Sequence, residues 1–102
     1  MANTFKNFVS ASIGTGDTTV YTVPGSTTAV IIGLNISNRT ASQITVEAKL
    51  GSTFIVKDAP VPAGSALSVL DGKIIAEAAD TIVVNSDTAS SADVILSVLE
   101  QT

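Results

Sequence analysis

Apolar and polar residues alternate along most of this chain. From Ala29 to Ser37, Val30, Ile32, Leu34 and Ile36 fall on one side and Ile31, Gly33, Asn35 and Ser37 on the other. That period of two marks a β-strand with one buried face. Gln43 to Leu50 repeats it, with Ile44, Val46, Ala48 and Leu50 opposite Thr45, Glu47 and Lys49. Between the two lies Asn38-Arg39-Thr40-Ala41-Ser42, a polar turn of hairpin length.

Further strands are predicted at similar spacing. Thr18 to Val23 is β-branched and stops at Pro24-Gly25; Thr53 to Lys57 follows the turn Gly51-Ser52. Ala59 to Gly64 holds two prolines, which remove ladder donors, so it reads as an extended crossing loop. Ala66 to Leu70 and Lys73 to Ala76 flank Asp71-Gly72, a favoured hairpin turn. Thr81 to Asn85 and Asp93 to Leu99 complete the set, joined by the small polar run Ser86 to Ala92. The segment from Lys73 to Ile82 also admits a short helix, with Lys73 and Glu77 one turn apart. About eight short strands at intervals of ~8–12 residues predict an all-β fold, a single antiparallel β-sandwich or jelly-roll-like domain. One domain over residues 1–102 is expected, with Phe5 to Ile13 either its first strand or, across residues 1–12, an extended N-terminal arm.

Composition changes the picture in one respect. Hydrophobic residues make up 45% of the 102 and charged residues 14%, against a usual charged share of about 25%. The surface must then be built from Ser, Thr, Asn and Gly, or part of it must be covered by a partner. The net charge is −4, and the five bases, Lys6, Arg39, Lys49, Lys57 and Lys73, are scattered. Nucleic acid and anionic membrane surfaces both call for a basic stripe, so neither is an expected partner. Residues 1–13 lack the apolar stretch of a secretory signal, and the longest apolar run, Ala29 to Ile32, is too short to span a bilayer.

Candidate chemistry is sparse. The chain has no His and no Cys, which removes the commonest general base, the thiol nucleophile, disulfides and thiolate metal sites. The loop carboxylates Asp58, Asp71, Asp80, Asp87 and Asp93 read as turn and strand-end groups, and Asn85, Asp87 and Asp93 do not follow a calcium-loop spacing. Gly14-Thr15-Gly16-Asp17 lacks the lysine and following helix of a phosphate loop and reads as a β-turn. The expectation is no enzyme, no cofactor and no metal.

What remains is a surplus of aliphatic side chains. Ile31, Ile55, Ile74, Val83, Ile95 and Leu99 fall on the faces opposite the main inward set, where a two-layer sandwich is mostly polar. Phe5 and Phe8, three apart, point to opposite faces of a strand. These eight residues are the candidate protein interface. A one-residue slip of register or barrel-like curvature would account for the same pattern without an interface.

The strand-turn Val20-Tyr21-Thr22-Val23-Pro24, the run into Ser37-Asn38-Arg39-Thr40, Ala48 to Leu50, and above all Phe54 to Ser65 with Leu67, Val69 to Ile74 and Ala78 to Ile82 resemble a family of small phage and cyanophage virion proteins. The resemblance covers Val20 to Glu100. Related sequences often have Gly before the Asp at position 80, where this chain has Ala79. The resemblance implies a non-catalytic structural β-domain of the virion, assembled in the host bacterial cytoplasm, and it designates no functional residues. The leading expectation is a capsid decoration or cement protein, a homo-trimer contacting the major capsid or another virion protein. The alternative is a neck or tail component, or a host-glycan-binding tail-fibre module using Ser86 to Ala92.

Overall fold

A computed structural model describes residues 2–70 and 72–102. Their strands are β1 (Asn3–Ile13), β2 (Thr18–Thr22), β3 (Thr28–Asn38), β4 (Ile44–Leu50), β5 (Thr53–Val61), β6 (Ala66–Ser68), β7 (Ile74–Ala76), β8 (Thr81–Ser86) and β9 (Ala92–Gln101). They form two antiparallel sheets. The first runs β1-β9-β3-β6, with β7 also on β3, and the second runs β2-β8-β4-β5. The all-β fold read from the alternation is the one observed.

β6 and β7 pair with the same edge of β3, at Asn35–Ser37 and Ala29–Ile31 respectively. They are two pieces of one interrupted strand. The hairpin expected around Asp71-Gly72 is therefore not formed between them, and Asp71 itself lies outside the described residues. With the pair counted once, consecutive strands alternate between the sheets except at β4–β5, which gives a jelly roll.

The core is the slab between the sheets. Ile31, Leu34 and Ile36 of β3 meet Val94, Leu96 and Val98 of β9, and these face Ile44 and Val46 of β4 and Ile82 and Val84 of β8. β3 does not keep the strict alternation expected of it. Ile31 pairs with Val98 and Gly33 with Ser97, so Ile32 is an extra residue in the ladder. This bulge switches the parity of the strand. Ile31 before it and Leu34 after it both point inward, while Ile32 points out.

The turn Asn38 to Ser42 also differs from expectation, because it joins strands of different sheets. Asn38 is buried and holds this corner together. Its Nδ2 donates to the carbonyls of Ser42 (2.7 Å), Val61 (3.0 Å) and Pro62 (3.2 Å). Its Oδ1 accepts from the Thr40 amide and the Thr40 hydroxyl, each at 2.8 Å. An Asn rather than a hydrophobe sits in this corner because an interior turn must pair backbone groups that no ladder reaches.

Pro60 belongs to a strand after all: β5 continues to Val61 along the outer edge of its sheet, where a missing N–H faces no partner. The segment considered for a helix is β7, a turn and the start of β8. In that turn Ala79 has φ of 73°, its amide donating to the Val23 carbonyl at 3.0 Å. A side chain in this left-handed region costs about 1–2 kcal/mol, and glycine's greater freedom when unfolded returns part of that gain. Ala79→Gly is expected to stabilise the protein by about 0.5–1 kcal/mol. A urea midpoint equal to or below that of the parent would refute the strain.

Candidate interaction surface

The two outer faces of the sandwich are built differently. On the β2-β8-β4-β5 sheet the outward side chains form charge pairs. Lys49 Nζ lies 2.8 Å from Asp17, and Lys57 Nζ lies 3.2 Å from Glu47 and 3.7 Å from Asp58. The Lys49 ammonium, then the Asn85 amide at 2.6 Å, hold the Asp17 carboxyl below its ordinary range. Phe54 lies beneath both lysines, 5.7 Å from Lys49 Nζ and 4.9 Å from that of Lys57. This face is an ordinary solvated surface.

The β1-β9-β3-β7 face is apolar. Register places Phe5 beside Leu99, Leu99 beside Val30, and Val30 beside Ile75, a hydrophobic row across four strands. A second row runs from Val9 through Ile95 to Asn35. Phe5 is 75% exposed, Val9 69%, Ile75 55% and Ile95 49%. Between the rows, Asn7, Ser97 and Gly33 are small or short, and Ile32 rises from the bulge. The result is a shallow depression of about 270 Å³ lined by Phe5, Lys6, Asn7, Ile32, Ser97 and Val98. Among the described strand residues of this face Asp93 is the one charged side chain. It sits at one end, where its Oδ1 accepts from the Ser12 amide at 3.0 Å and lies 3.4 Å from Arg39.

The eight candidate interface residues separate accordingly. Phe5, Ile95 and Leu99 lie on the apolar face. Phe8 turns inward, its ring centroid 4.4 Å from that of Tyr21. Ile31 is core, 1% exposed, because of the bulge. Ile74 pairs with it and packs against the same core, as does Ile55, whose strand carries two register shifts. Val83 does face outward, but on the charged sheet, buried between Thr19 and Lys49. Val9, Val30, Ile32 and Ile75 complete the apolar face and were not among the candidates. Val9 shares the odd-numbered alternation of Phe5, a signal present in the sequence. Val30 and Ile32 were hidden by the bulge.

Among the described residues, no three His, Cys, Asp or Glu side chains converge. Asp87 accepts from the Thr45 amide at 3.1 Å, Asp80 from the Glu77 amide at 2.8 Å, and Asp58 neighbours Lys57. Asp80 and Asp87 serve turns, whereas Asp58, with a φ of 51°, lies inside β5 rather than at the strand end expected from the sequence.

One buried ionisable cluster closes the end of the sandwich near the termini. Glu100 is 5% exposed and points inward from β9. Its Oε2 accepts from the Tyr21 hydroxyl at 2.5 Å, across from the other sheet, and its Oε1 lies 3.0 Å from Lys6 Nζ. These two donors, Tyr21 first, hold the carboxyl below its ordinary value. Burial, and then the carboxylate, push the Tyr21 phenol up. The cluster ties the two sheets together.

No protein-family model and no curated protein matches this sequence. A solved structure described as Bacillus endospore appendages, a novel family of disulfide-linked pili, is similar to it in fold. The superposition covers 99% of this chain and 87% of that one at a TM-score of 0.56 and 13% identity. At that identity the likeness extends to the β-sandwich architecture and no further.

Proposed function

We propose that this protein is a non-enzymatic structural component that works by covering its apolar sheet face with other protein, as a phage capsid decoration or cement protein does. The observation that carries this reading is the contrast between the two faces. One sheet spends its charges on a solvated exterior, and the other exposes rows of Phe, Val, Ile and Leu with almost none. Exposed apolar patches of that extent mark contact surfaces. The low overall charge and the carboxylates engaged in turns support the same reading. The pili that share the fold are described as disulfide-linked. This chain has no Cys, so any contact it makes with other protein uses no disulfide.

The test replaces the face without touching the core. Ile75→Lys combined with Ile95→Lys is expected to weaken binding to capsid shells lacking the protein by roughly 100-fold or more, given about 1.5–3 kcal/mol for each buried side chain. Sedimentation and shell-binding assays would read this. A double variant that binds such shells as tightly as the parent would refute the proposal.

A further inference from the structure

The four lateral edges of the two sheets are not equally protected. β5 carries Pro60, two register shifts, the Lys57–Asp58 charges and a positive φ of 51° at Asp58. The β6–β7 edge is broken into two three-residue pieces. β2 spans five residues and is bulged between Thr19 and Tyr21. Prolines, bulges, charges and short length are the devices by which sheets avoid pairing with other chains. β1 differs: it is an eleven-residue edge strand without proline, regular from Asn3 to Ser10.

The groups it leaves free can be assigned. The Ala2 amide donates to the Thr102 carbonyl and the Thr102 amide to that of Ala2, each at 3.0 Å. Hydrogen-bonded and non-hydrogen-bonded pairs alternate along an antiparallel ladder. Thr4, Lys6, Phe8 and Ser10 therefore bond to β9, while the main-chain groups of Asn3, Phe5, Asn7 and Val9 point away from the sheet.

We propose that this edge pairs with β1 of a second copy, antiparallel about a two-fold axis at Asn7. In that register Asn7 faces its own counterpart, and Phe5 of each copy faces Val9 of the other. Each of these odd-numbered pairs then exchanges both main-chain hydrogen bonds. The choice of a second copy rests on self-complementarity, which an isologous contact requires. The odd-numbered residues match free edge to free edge, and the apolar rows of the two outer faces become continuous. The one charge of the strand, Lys6, lies on the other face, already paired with Glu100 at 3.0 Å and opposite Phe8 of the second copy. No like charges meet. Such a contact closes as a pair, so it builds dimers or assemblies of dimers rather than a trimer.

The edge rests on backbone geometry and is independent of the proposed use of the apolar face. The test is Asn7→Pro, which removes a free N–H at the axis but none from the β1–β9 ladder. Asn7→Lys sets two ammonium groups against each other without altering the backbone. The parent protein is expected to sediment as a dimer, and both variants as monomers with unchanged circular dichroism. The Phe5, Asn7 and Val9 amides should gain hydrogen-exchange protection as concentration rises, while Lys6 and Phe8 are protected throughout. The Ile75→Lys, Ile95→Lys double variant should retain this pairing, so the two proposals fail separately. A monomeric parent, a parent whose β1 pairs only with a strand of another protein, an Asn7→Lys variant that remains dimeric, or a dimer in which those three amides exchange freely would each overturn the inference.

Discussion

Asn38→Ala is expected to destabilise the protein by about 3 kcal/mol, because it leaves buried main-chain groups of the β3–β4 corner unpaired. Asn38 is 3% exposed and donates to three carbonyls while accepting from Thr40 twice. A typical hydrogen bond contributes about 1 kcal/mol net, but a buried group stripped of its partner costs about 1–3 kcal/mol. The Val61 carbonyl, bonded to Asn38 in the interior, is the group most affected. For a domain of this size the loss corresponds to a fall in Tm of roughly 12–20 °C. Asn38→Asp should be worse than Ala, since it keeps the acceptor side toward Thr40 but turns a carboxylate on the carbonyls of Ser42 and Pro62. Urea unfolding would measure both. A loss below about 1 kcal/mol for Ala would show that water replaces the side chain and that the corner is held elsewhere.

The second large effect concerns Glu100 and has a pH signature. Its carboxyl is held below the ordinary 4.5 by the Tyr21 hydroxyl and then Lys6. A group whose value is depressed on folding stabilises the protein above its unfolded value and loses that contribution as pH falls. Stability should therefore decline from about pH 4.5 downward, and Glu100→Gln should remove that part of the decline. At neutral pH Glu100→Ala, which strands the buried Tyr21 hydroxyl, should cost about 2–3 kcal/mol. Lys6 is half exposed, so its ion pair adds little. At the alkaline end the sign reverses. Tyr21 is raised above 10.0 by burial and then by Glu100, so its contribution is complete below that pH and is lost as pH rises further. Tyr21→Phe should flatten this alkaline limb. Equilibrium unfolding across pH would decide both, and a Glu100→Gln variant with the parent's acid profile would remove Glu100 from the account.

Both effects concern contacts between distant parts of the chain, and these are what the sequence conceals. Tyr21 and Glu100 are 79 residues apart, and nothing local marks either as a partner of the other. Asn38 reads as a turn residue. Its burial follows only once the turn is known to cross between sheets.

The apolar face shows the same division. The alternation placed Ile95 and Leu99 on the outer side of β9, since a period of two needs no partner to be read, and it set Phe5 and Phe8 on opposite sides of β1 without telling which faces out. It failed at Ile31 because one inserted residue, Ile32, reverses the parity of β3. Val83 does face outward as the alternation has it and Ile55 does not, and neither joins the apolar face, for a different reason. Alternation separates the two sides of a strand but does not say what lies over each side. Lys49 and Thr19 flank Val83, and the register shifts of β5 turn Ile55 toward the core.

The sequence by itself determined the all-β class, the approximate strands, and the poverty of catalytic chemistry, because each depends on residue types and on neighbours a few positions away. The tertiary structure alone decided which strands share a sheet, where β3 is bulged, which aliphatic side chains remain in water, and that β1 leaves an unprotected edge. Those outcomes depend on pairing between segments far apart in the chain, which no local pattern encodes.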